Sequence, residues 1–182
     1  DLHASNLVKE LKKQHQNLSL RGWGGDLMQQ QGVDIVKHYR ELAFMGFIEV
    51  ALNLKTILNN IKICKQDILQ FKPDLVILID YPGFNMRISS FLKQQGILNY
   101  YYISPQIWAW KQSRFHQIKK NVDAMFVILP FEKDFYKKFD FNVTYVGHPL
   151  LDAIENYKNT IATKLDEPKK PILALLPGSR KQ

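Results

Sequence analysis

A run of apolar residues in the middle of the chain ends on a single carboxylate. Leu75 to Ile79 are all apolar, Asp80 follows them, and Pro82 and Gly83 then interrupt the run. In α/β proteins, polar side chains that directly follow a buried strand lie at the sheet edge where ligands bind. We therefore predict that Asp80 is partly buried at such an edge and serves as a general base. Because Asp also caps helices and turns after strands, a structural role fits the same pattern.

Polar and aromatic side chains also follow other apolar runs of the sequence. We predict that several of them bind substrate, namely Asn85, Ser104, Gln106, Trp108 and His148. Trp108 lies in a segment rich in tryptophan and basic residues, where stacking on a sugar or base competes with anchoring of a loop in the core. His148 has no second histidine nearby in the sequence with which to bind a metal, so a structural hydrogen bond competes there with a ligand contact.

Two glycine-containing turns are candidates for binding an anionic ligand. The sequence LLPGSRKQ, residues 175–182, places Ser179 and Arg180 at the tip of a turn that follows a predicted strand. A hydroxyl, a guanidinium and backbone amides together suit a phosphate, although a surface turn with a solvated arginine fits equally. The sequence GWGGDLM, residues 22–28, matches neither the dinucleotide-binding fingerprint nor the P-loop, so it indicates no specific ligand.

The composition is that of a folded protein with anionic partners. Lys and Arg outnumber Asp and Glu by 25 to 17, which gives a net charge of +8. That sign favours nucleic acid, nucleotide phosphates or an acidic membrane surface without choosing among them. The single cysteine, Cys64, predicts a reducing compartment, of which the cytoplasm is the simplest. The sequence contains no nucleophile elbow, zinc-ligand spacing, Asp-x-Asp or P-loop, which argues against hydrolases, metalloenzymes and NTPases.

Apolar runs typical of strands alternate with helical patterns along the chain. The runs within residues 74–80 and 123–130 are apolar on both faces, as in central strands of a parallel sheet covered by helices. This alternation predicts an α/β fold with a doubly wound parallel sheet. The segment between the last two predicted strands becomes polar and charged in its second half, so we place a domain boundary near residue 160.

The segment 45–69 has the pattern of a long amphipathic helix. The stripe predicted to face the core includes Leu58 and Ile61, whereas other apolar residues project away from it. These remaining residues form either a membrane-binding patch or part of a broad core face. We define the patch as Phe47, Ile48 and Leu52, with Lys55 and Lys62 at its basic edge.

Six short blocks, taken in order, resemble the lipid-A-disaccharide synthases. They read AFMGFIEV, PDLVILIDYPGFN, YYISPQIWAWK, LPFEKDFY, VGHPLLDAI and LLPGSR, and they extend over nearly the whole chain. The resemblance implies a Rossmann-like domain that forms the N-terminal half of a GT-B fold, with its first strand and glycine-rich turn missing. It also implies an acceptor-side domain at residues 1–160, followed at residues 161–182 by a linker and the first strand of a nucleotide-sugar domain.

The activity that this resemblance implies is an inverting glycosyl transfer in the lipid A biosynthesis of Gram-negative bacteria. UDP-2,3-diacylglucosamine donates its sugar to the 6-hydroxyl of 2,3-diacylglucosamine 1-phosphate, also called lipid X, which yields the β-1,6 disaccharide and UDP. Asp80 matches the family's Asp in the IDxPxFN block and is implied to be the base that removes the acceptor proton. Ser179 and Arg180 are implied to neutralise the diphosphate, and no metal or other cofactor is expected.

The resemblance further implies a cytoplasmic protein bound peripherally to the inner membrane, since both substrates carry acyl chains. In that setting the patch around Ile48 and Leu52 is expected to anchor the protein reversibly. Gly83 departs from the family, because many members have a second Asp at this position. The truncated chain is expected to be inactive by itself. A UDP-sugar 2-epimerase and a basic nucleic-acid-binding module are the alternatives, although the resemblance implies no nucleic acid partner.

Overall fold

The structure is a computed structural model that describes residues 1–41, 54–110 and 112–160, together with Leu173. Its internal contacts divide the chain into two compact units. The first unit is Asp1–Pro149, and the second begins at Leu150. All the strands and the cavity described below belong to the first unit.

Helices and strands alternate through the described residues. The helices are α1 (Leu2–Gln14), α2 (Asp26–Gln30), α3 (Leu54–Phe71), α4 (Pro82–Gln94), α5 (Phe115–Asn121), α6 (Pro130–Lys137) and α7 (Pro149–Thr160). The strands are β1 (Arg21–Gly24), β2 (Asp34–His38), β3 (Val76–Ile79), β4 (Asn99–Tyr102), β5 (Ala124–Val127) and β6 (Thr144–Tyr145). Short 3-10 helices lie at Tyr39–Glu41 and Gln112–Arg114.

All strand pairings in the described part of the chain are parallel. β1 pairs with β2, while β3, β4, β5 and β6 form a four-stranded sheet in that order. In the larger sheet Ile79 lies opposite Tyr102, and Tyr102 lies opposite Phe126. Because these strands are parallel and in register, their carboxyl ends lie at the same edge of the sheet.

The core is built from the apolar strands of the larger sheet and the helices that connect them. β3 and β5 consist entirely of apolar residues, as expected for strands covered on both faces. The most deeply buried apolar and aromatic side chains of this core include Ile88, Leu92, Tyr101, Ile118, Val127 and Tyr136. The predicted α/β alternation with parallel strands is therefore confirmed, although the sequence pattern did not reveal the short, half-buried strand β2.

Helix α3 buries only part of the face that the sequence pattern predicted to contact the core, since Ile61 is buried as predicted and Leu58 is not. Ile61, Cys64 and Ile68 are buried at helical spacing, and Ile57 packs against the same core. Leu58 is 55% exposed, so the prediction that it faces the sheet is wrong. At 3.6 residues per turn, Leu58 points roughly 90° away from the centre of the buried stripe, which places it outside the face that packs against the core.

The predicted membrane patch is described only at its basic edge. Lys55 and Lys62 are exposed on α3. Phe47, Ile48 and Leu52 lie outside the described residues, so the patch stays a prediction. Among the described residues, no helix combines the length and the apolar character needed to cross a bilayer.

Candidate functional site

A cavity of about 350 Å³ opens at the carboxyl edge of the four-stranded sheet. Residues that follow β3, β4 and β5 line it, together with the first turn of α6. The lining residues are Asp80, Pro82, Ile103, Ser104, Gln106, Trp110, Ile128, Leu129 and Glu132. Of the predicted site residues, the structure thus brings Asp80, Ser104 and Gln106 together around one cavity.

Asp80 lies at the exposed rim of this cavity, so the expectation that it is partly buried is wrong. It comes one position after β3, where the backbone leaves the sheet with φ values of 46° at Asp80 and 45° at Tyr81. Ile103, directly after β4, has a φ of 64°. Residues other than glycine rarely adopt this left-handed backbone conformation. Each such residue lowers the stability of the folded state by about 1–3 kcal/mol. Among the described residues, three of the five non-glycine residues with positive φ therefore lie at the edge of the sheet that carries the cavity.

Hydrogen bonds from two neighbouring elements hold the main chain of Asp80. The buried hydroxyl of Tyr101, on β4, donates to the Asp80 carbonyl at 2.6 Å. The side-chain amide nitrogen Nδ2 of Asn85, in α4, donates to the same carbonyl at 2.7 Å and to the Ile79 carbonyl at 3.1 Å. The Asp80 N–H donates to the Tyr102 carbonyl at 3.0 Å. Since both hydrogens of the Asn85 amide are used within the turn, a contact of Asn85 with substrate stays a prediction.

Glu132 is a buried carboxylate at the cavity. The sequence placed it among the polar residues expected at the strand ends, but no role in the site was predicted for it. Glu132 is only 2% exposed, and its Oε1 accepts a hydrogen bond from the Ser104 hydroxyl. Its Oε2 accepts the backbone N–H groups of Ile128 at 3.2 Å and Leu129 at 2.9 Å. The first turn of a helix favours a negative charge, which suits Glu132 at the start of α6. The Pro-Phe-Glu triplet at residues 130–132 is typical of a helix start, and it was the feature of the sequence that could have indicated a structural role for Glu132.

The hydroxyl of Ser104 is oriented by these buried neighbours. Because it donates to Glu132, its lone pairs are left to accept hydrogen bonds. Burial raises the pKa of Tyr136, which lies beside Ser104, while the Ser104 hydroxyl opposes that increase. Tyr136 therefore stays protonated at neutral pH.

His3 lies close enough to Asp80 and His148 for their charges to act on it. Burial lowers the pKa of the His3 imidazole, and His148 lowers it further, while Asp80 opposes them. The Nδ1 atom of His3 is buried and has no hydrogen-bond partner among the described residues. The lowered pKa favours the neutral form of His3. His148, a predicted substrate contact, is half-buried in the same region but does not line the cavity.

The two tryptophans of the loop after β4 have different surroundings. The Trp108 ring packs edge-on against Phe131 with 5.0 Å between the ring centroids, and its indole nitrogen is buried. This geometry favours a loop anchor, so the predicted contact of Trp108 with substrate stays a prediction. Trp110 lines the cavity, is 60% exposed and has the Arg114 guanidinium 5.6 Å from a ring centroid. An exposed indole at a cavity suits stacking on a sugar ring.

The predicted phosphate-binding residues Ser179 and Arg180 lie outside the described residues. Within the part of the chain that the structure describes, no group of three or more His, Cys, Asp or Glu side chains is arranged to hold a metal ion. The described site therefore offers the exposed carboxylate of Asp80, the buried hydrogen bond between Ser104 and Glu132, and the exposed indole of Trp110.

The whole sequence is similar to one family of known proteins. A profile of the family described as lipid-A-disaccharide synthetase matches residues 1–182. The lipid-A-disaccharide synthase 1 of Legionella pneumophila (strain Paris) is 43% identical over 187 residues, which cover 99% of this chain and 48% of the relative. The lipid-A-disaccharide synthase of Coxiella burnetii (strain Dugway 5J108-111) is 40% identical over 185 residues, which cover 100% of this chain and 49% of the relative. The chain thus spans about half the length of the curated relatives it matches.

A solved structure shows the same fold. The UDP-GlcNAc 2-epimerase from Neisseria meningitidis, in a structure bound to UDP-GlcNAc, matches with a TM-score of 0.61 and 14% sequence identity. The match covers 88% of this chain and 47% of that chain. At this level of identity the likeness concerns the fold alone, and it confirms the Rossmann-like α/β class predicted from the sequence.

Proposed function

The chain belongs to the lipid-A-disaccharide synthetase family, and from this we propose that the whole protein is an inverting glycosyltransferase of lipid A biosynthesis. Its proposed donor is UDP-2,3-diacylglucosamine, and its proposed acceptor is the 6-hydroxyl of 2,3-diacylglucosamine 1-phosphate. The products are the β-1,6-linked disaccharide and UDP. The observation that carries the proposal is the exposed carboxylate of Asp80 at the mouth of a cavity of about 350 Å³, a volume within the range of small-molecule sites.

In this mechanism Asp80 takes the proton of the acceptor hydroxyl. The acceptor oxygen attacks the anomeric carbon of the donor from the face opposite UDP, which inverts that carbon. The bond between the anomeric carbon and the diphosphate oxygen breaks, and UDP leaves with the electron pair. A general base must reach the proton it removes, and the exposure of Asp80 on the cavity side supports that role.

The cavity is proposed to hold the acceptor sugar next to Asp80. Ser104 offers hydrogen-bond acceptors there, and Gln106 offers both donors and acceptors. Trp110 adds an aromatic face to the same lining. Asn85, Trp108 and His148 remain predicted substrate contacts outside this lining.

The remaining partners of the reaction are also proposals. Residues 1–160 form the acceptor-side domain, and residues 161–182 are the linker and the first strand of the nucleotide-sugar domain. Ser179 and Arg180 neutralise the diphosphate of the leaving UDP with backbone amides and without a metal. The acyl chains of both substrates lie in the inner membrane, to which the protein binds peripherally from the cytoplasm.

The proposal is tested by Asp80→Asn in the full-length protein. Removing the base is expected to lower the rate of disaccharide formation by at least about 10²-fold, as is typical for loss of a general base. The product is measured by chromatography after incubation with the acylated UDP-sugar and the monosaccharide 1-phosphate. Asp74→Asn is the matched control, because Asp74 is an exposed carboxylate that precedes β3, at the opposite edge of the sheet.

Near-normal turnover of Asp80→Asn would exclude Asp80 as the base. A second assay, with the UDP-sugar alone, tests the reaction class. A glycosyltransferase forms no new UDP-sugar in the absence of acceptor, whereas a 2-epimerase converts its substrate without one. Accumulation of an epimerised UDP-sugar would therefore replace the proposed function by that alternative.

A further inference from the structure

Hydrogen bonds from a neighbouring strand and from a helix fix the main chain of Asp80. On the strand side, the Asp80 N–H bonds to the Tyr102 carbonyl at 3.0 Å, and the Tyr101 hydroxyl bonds to the Asp80 carbonyl at 2.6 Å. On the helix side, Asn85 bonds to the same carbonyl at 2.7 Å. The Asp80 carbonyl therefore has both of its acceptor positions occupied by side-chain donors.

The conformation that these bonds hold is an unfavourable one. Asp80 and Tyr81 are consecutive residues with positive φ, at 46° and 45°, although neither is glycine. Such residues persist only where surrounding interactions determine them, and they occur most often at functional sites. If one of the side-chain donors is removed, the turn is free to relax toward an ordinary backbone conformation. A relaxed turn points the Asp80 side chain in a different direction.

We propose that Tyr101, together with Asn85, is a positioning residue for the reaction, which holds the Asp80 turn so that the carboxylate stays at the mouth of the cavity. This inference rests on the proposed role of Asp80 as the base. Tyr101 is 0% exposed, so it does not touch substrate and acts only through the turn. Burial raises the pKa of the Tyr101 hydroxyl, and the charge of Asp80 raises it further, so the hydroxyl remains a donor throughout the working pH range.

Tyr101→Phe in the full-length protein is the test. The substitution removes the hydroxyl and keeps the ring, so the core stays filled. We expect kcat to fall about tenfold, the change that corresponds to the loss of one hydrogen bond, with the KM of both substrates unchanged. Tyr100→Phe is the matched control, because Tyr100 is the preceding residue of β4 and points to the opposite face of the sheet. That control is expected to keep the wild-type kcat.

A double-mutant cycle separates positioning from a general loss of structure. If Tyr101 acts through Asp80, adding Tyr101→Phe to Asp80→Asn causes no further decrease in the residual rate. Thermal unfolding of all variants is compared, and Tyr101→Phe is expected to remain folded at the assay temperature. The inference is overturned if Tyr101→Phe keeps the wild-type kcat, if it changes KM alone, or if Tyr100→Phe loses as much activity.

The failure of this inference can be distinguished from the failure of the proposed function. An Asp80→Asn variant with normal turnover removes the proposed base and, with it, the positioning role. An inactive Asp80→Asn variant beside a fully active Tyr101→Phe variant leaves the proposed function intact and overturns the positioning role alone.

Discussion

Glu132 connects three parts of the chain through one buried carboxylate. It accepts hydrogen bonds from Ser104 after β4 and from the amides of Ile128 and Leu129 after β5, while its own backbone belongs to α6. A buried carboxylate is tolerated only when several donors satisfy it, and this one has donors on both oxygens. The hydrogen bonds to Glu132 therefore fix the relative positions of the ends of β4 and β5, which line the cavity.

The family resemblance predicts that Gly83 replaces an Asp found in many relatives. Gly83 occupies the second position of α4, directly after Pro82. A Cβ atom built on Gly83 would have no heavy atom within 4 Å. The site therefore has room for a side chain, and it lies where the helix dipole attracts negative charge.

Gly83→Asp is expected to stabilise the protein by about 1 kcal/mol. Two effects contribute to this gain in stability. Asp has a higher helix propensity than glycine, and a carboxylate in the first helical turn interacts favourably with the helix dipole. Urea denaturation measures the free energy of unfolding. Gly83→Lys is the control, because it also replaces glycine but places a positive charge near the same helix end. Equal stabilities of the Asp and Lys variants would contradict the electrostatic part of the argument.

Between secondary-structure elements, Asp123 ties the start of β4 to the start of β5. Its Oδ2 accepts the backbone N–H of Asn99 at 3.0 Å and the Asn99 side-chain amide at 3.1 Å, and Lys93 lies 2.7 Å from its Oδ1. Burial by itself raises the pKa of Asp123, but the hydrogen bonds from Lys93 and Asn99 outweigh it and hold the pKa below its usual value. The network therefore favours the ionised carboxylate in the folded state.

This pKa shift predicts a pH-dependent contribution to stability. Because the pKa of Asp123 is lower in the folded state, the contribution is complete above the unfolded value of about 4 and is lost as the pH falls through the folded value. Asp123→Asn is expected to lower Tm near neutral pH, and the difference from the unsubstituted protein should shrink below about pH 4. Thermal unfolding followed by circular dichroism across the acid range measures it.

Asp134→Asn serves as the control for that series, because Asp134 is an exposed carboxylate on α6. Its Tm difference from the unsubstituted protein is expected to be small at every pH. A decrease in Tm for Asp123→Asn that is the same at all pH values would show that the carboxylate charge is not the cause.

For the molecule as a whole, the net charge of +8 agrees with the proposal of a peripheral membrane protein. Basic residues near an apolar patch add electrostatic attraction to anionic lipids, and Lys55 and Lys62 are exposed on α3 where the patch is predicted to end. Such binding is reversible and weakens as salt screens the charges.

The membrane proposal is tested by replacing Ile48 and Leu52 with Ser in the full-length protein. Removal of the two apolar side chains is expected to release the protein from vesicles that contain anionic phospholipids, since binding scales with buried apolar area. Sedimentation with the vesicles measures the bound fraction. Leu69→Ser is the control, because Leu69 is an exposed apolar residue of α3 outside the patch. Unchanged sedimentation of the Ile48 and Leu52 variant, with the fold retained, would disprove the assignment.

Features with a short-range physical cause were predictable from the sequence. Apolar runs such as those before Asp80 and Pro130 identified β3 and β5, because a strand buried on both faces must be apolar throughout. The helices that follow were indicated by their 3.6-residue periodicity. Leu58 was misplaced because several overlapping stripes fit a long apolar helix, and only the packing of its neighbours selects one of them.

By itself, then, the sequence determined the α/β class, the family and the position of Asp80 after an apolar strand. Only the tertiary structure decided that Asp80 is exposed, that Glu132 receives the hydroxyl of Ser104, and that Tyr101 bonds to the Asp80 carbonyl. The last two contacts join residues that are 28 and 21 positions apart. Contacts of this kind depend on which strands become neighbours and in which register, and no local pattern of residues carries that information.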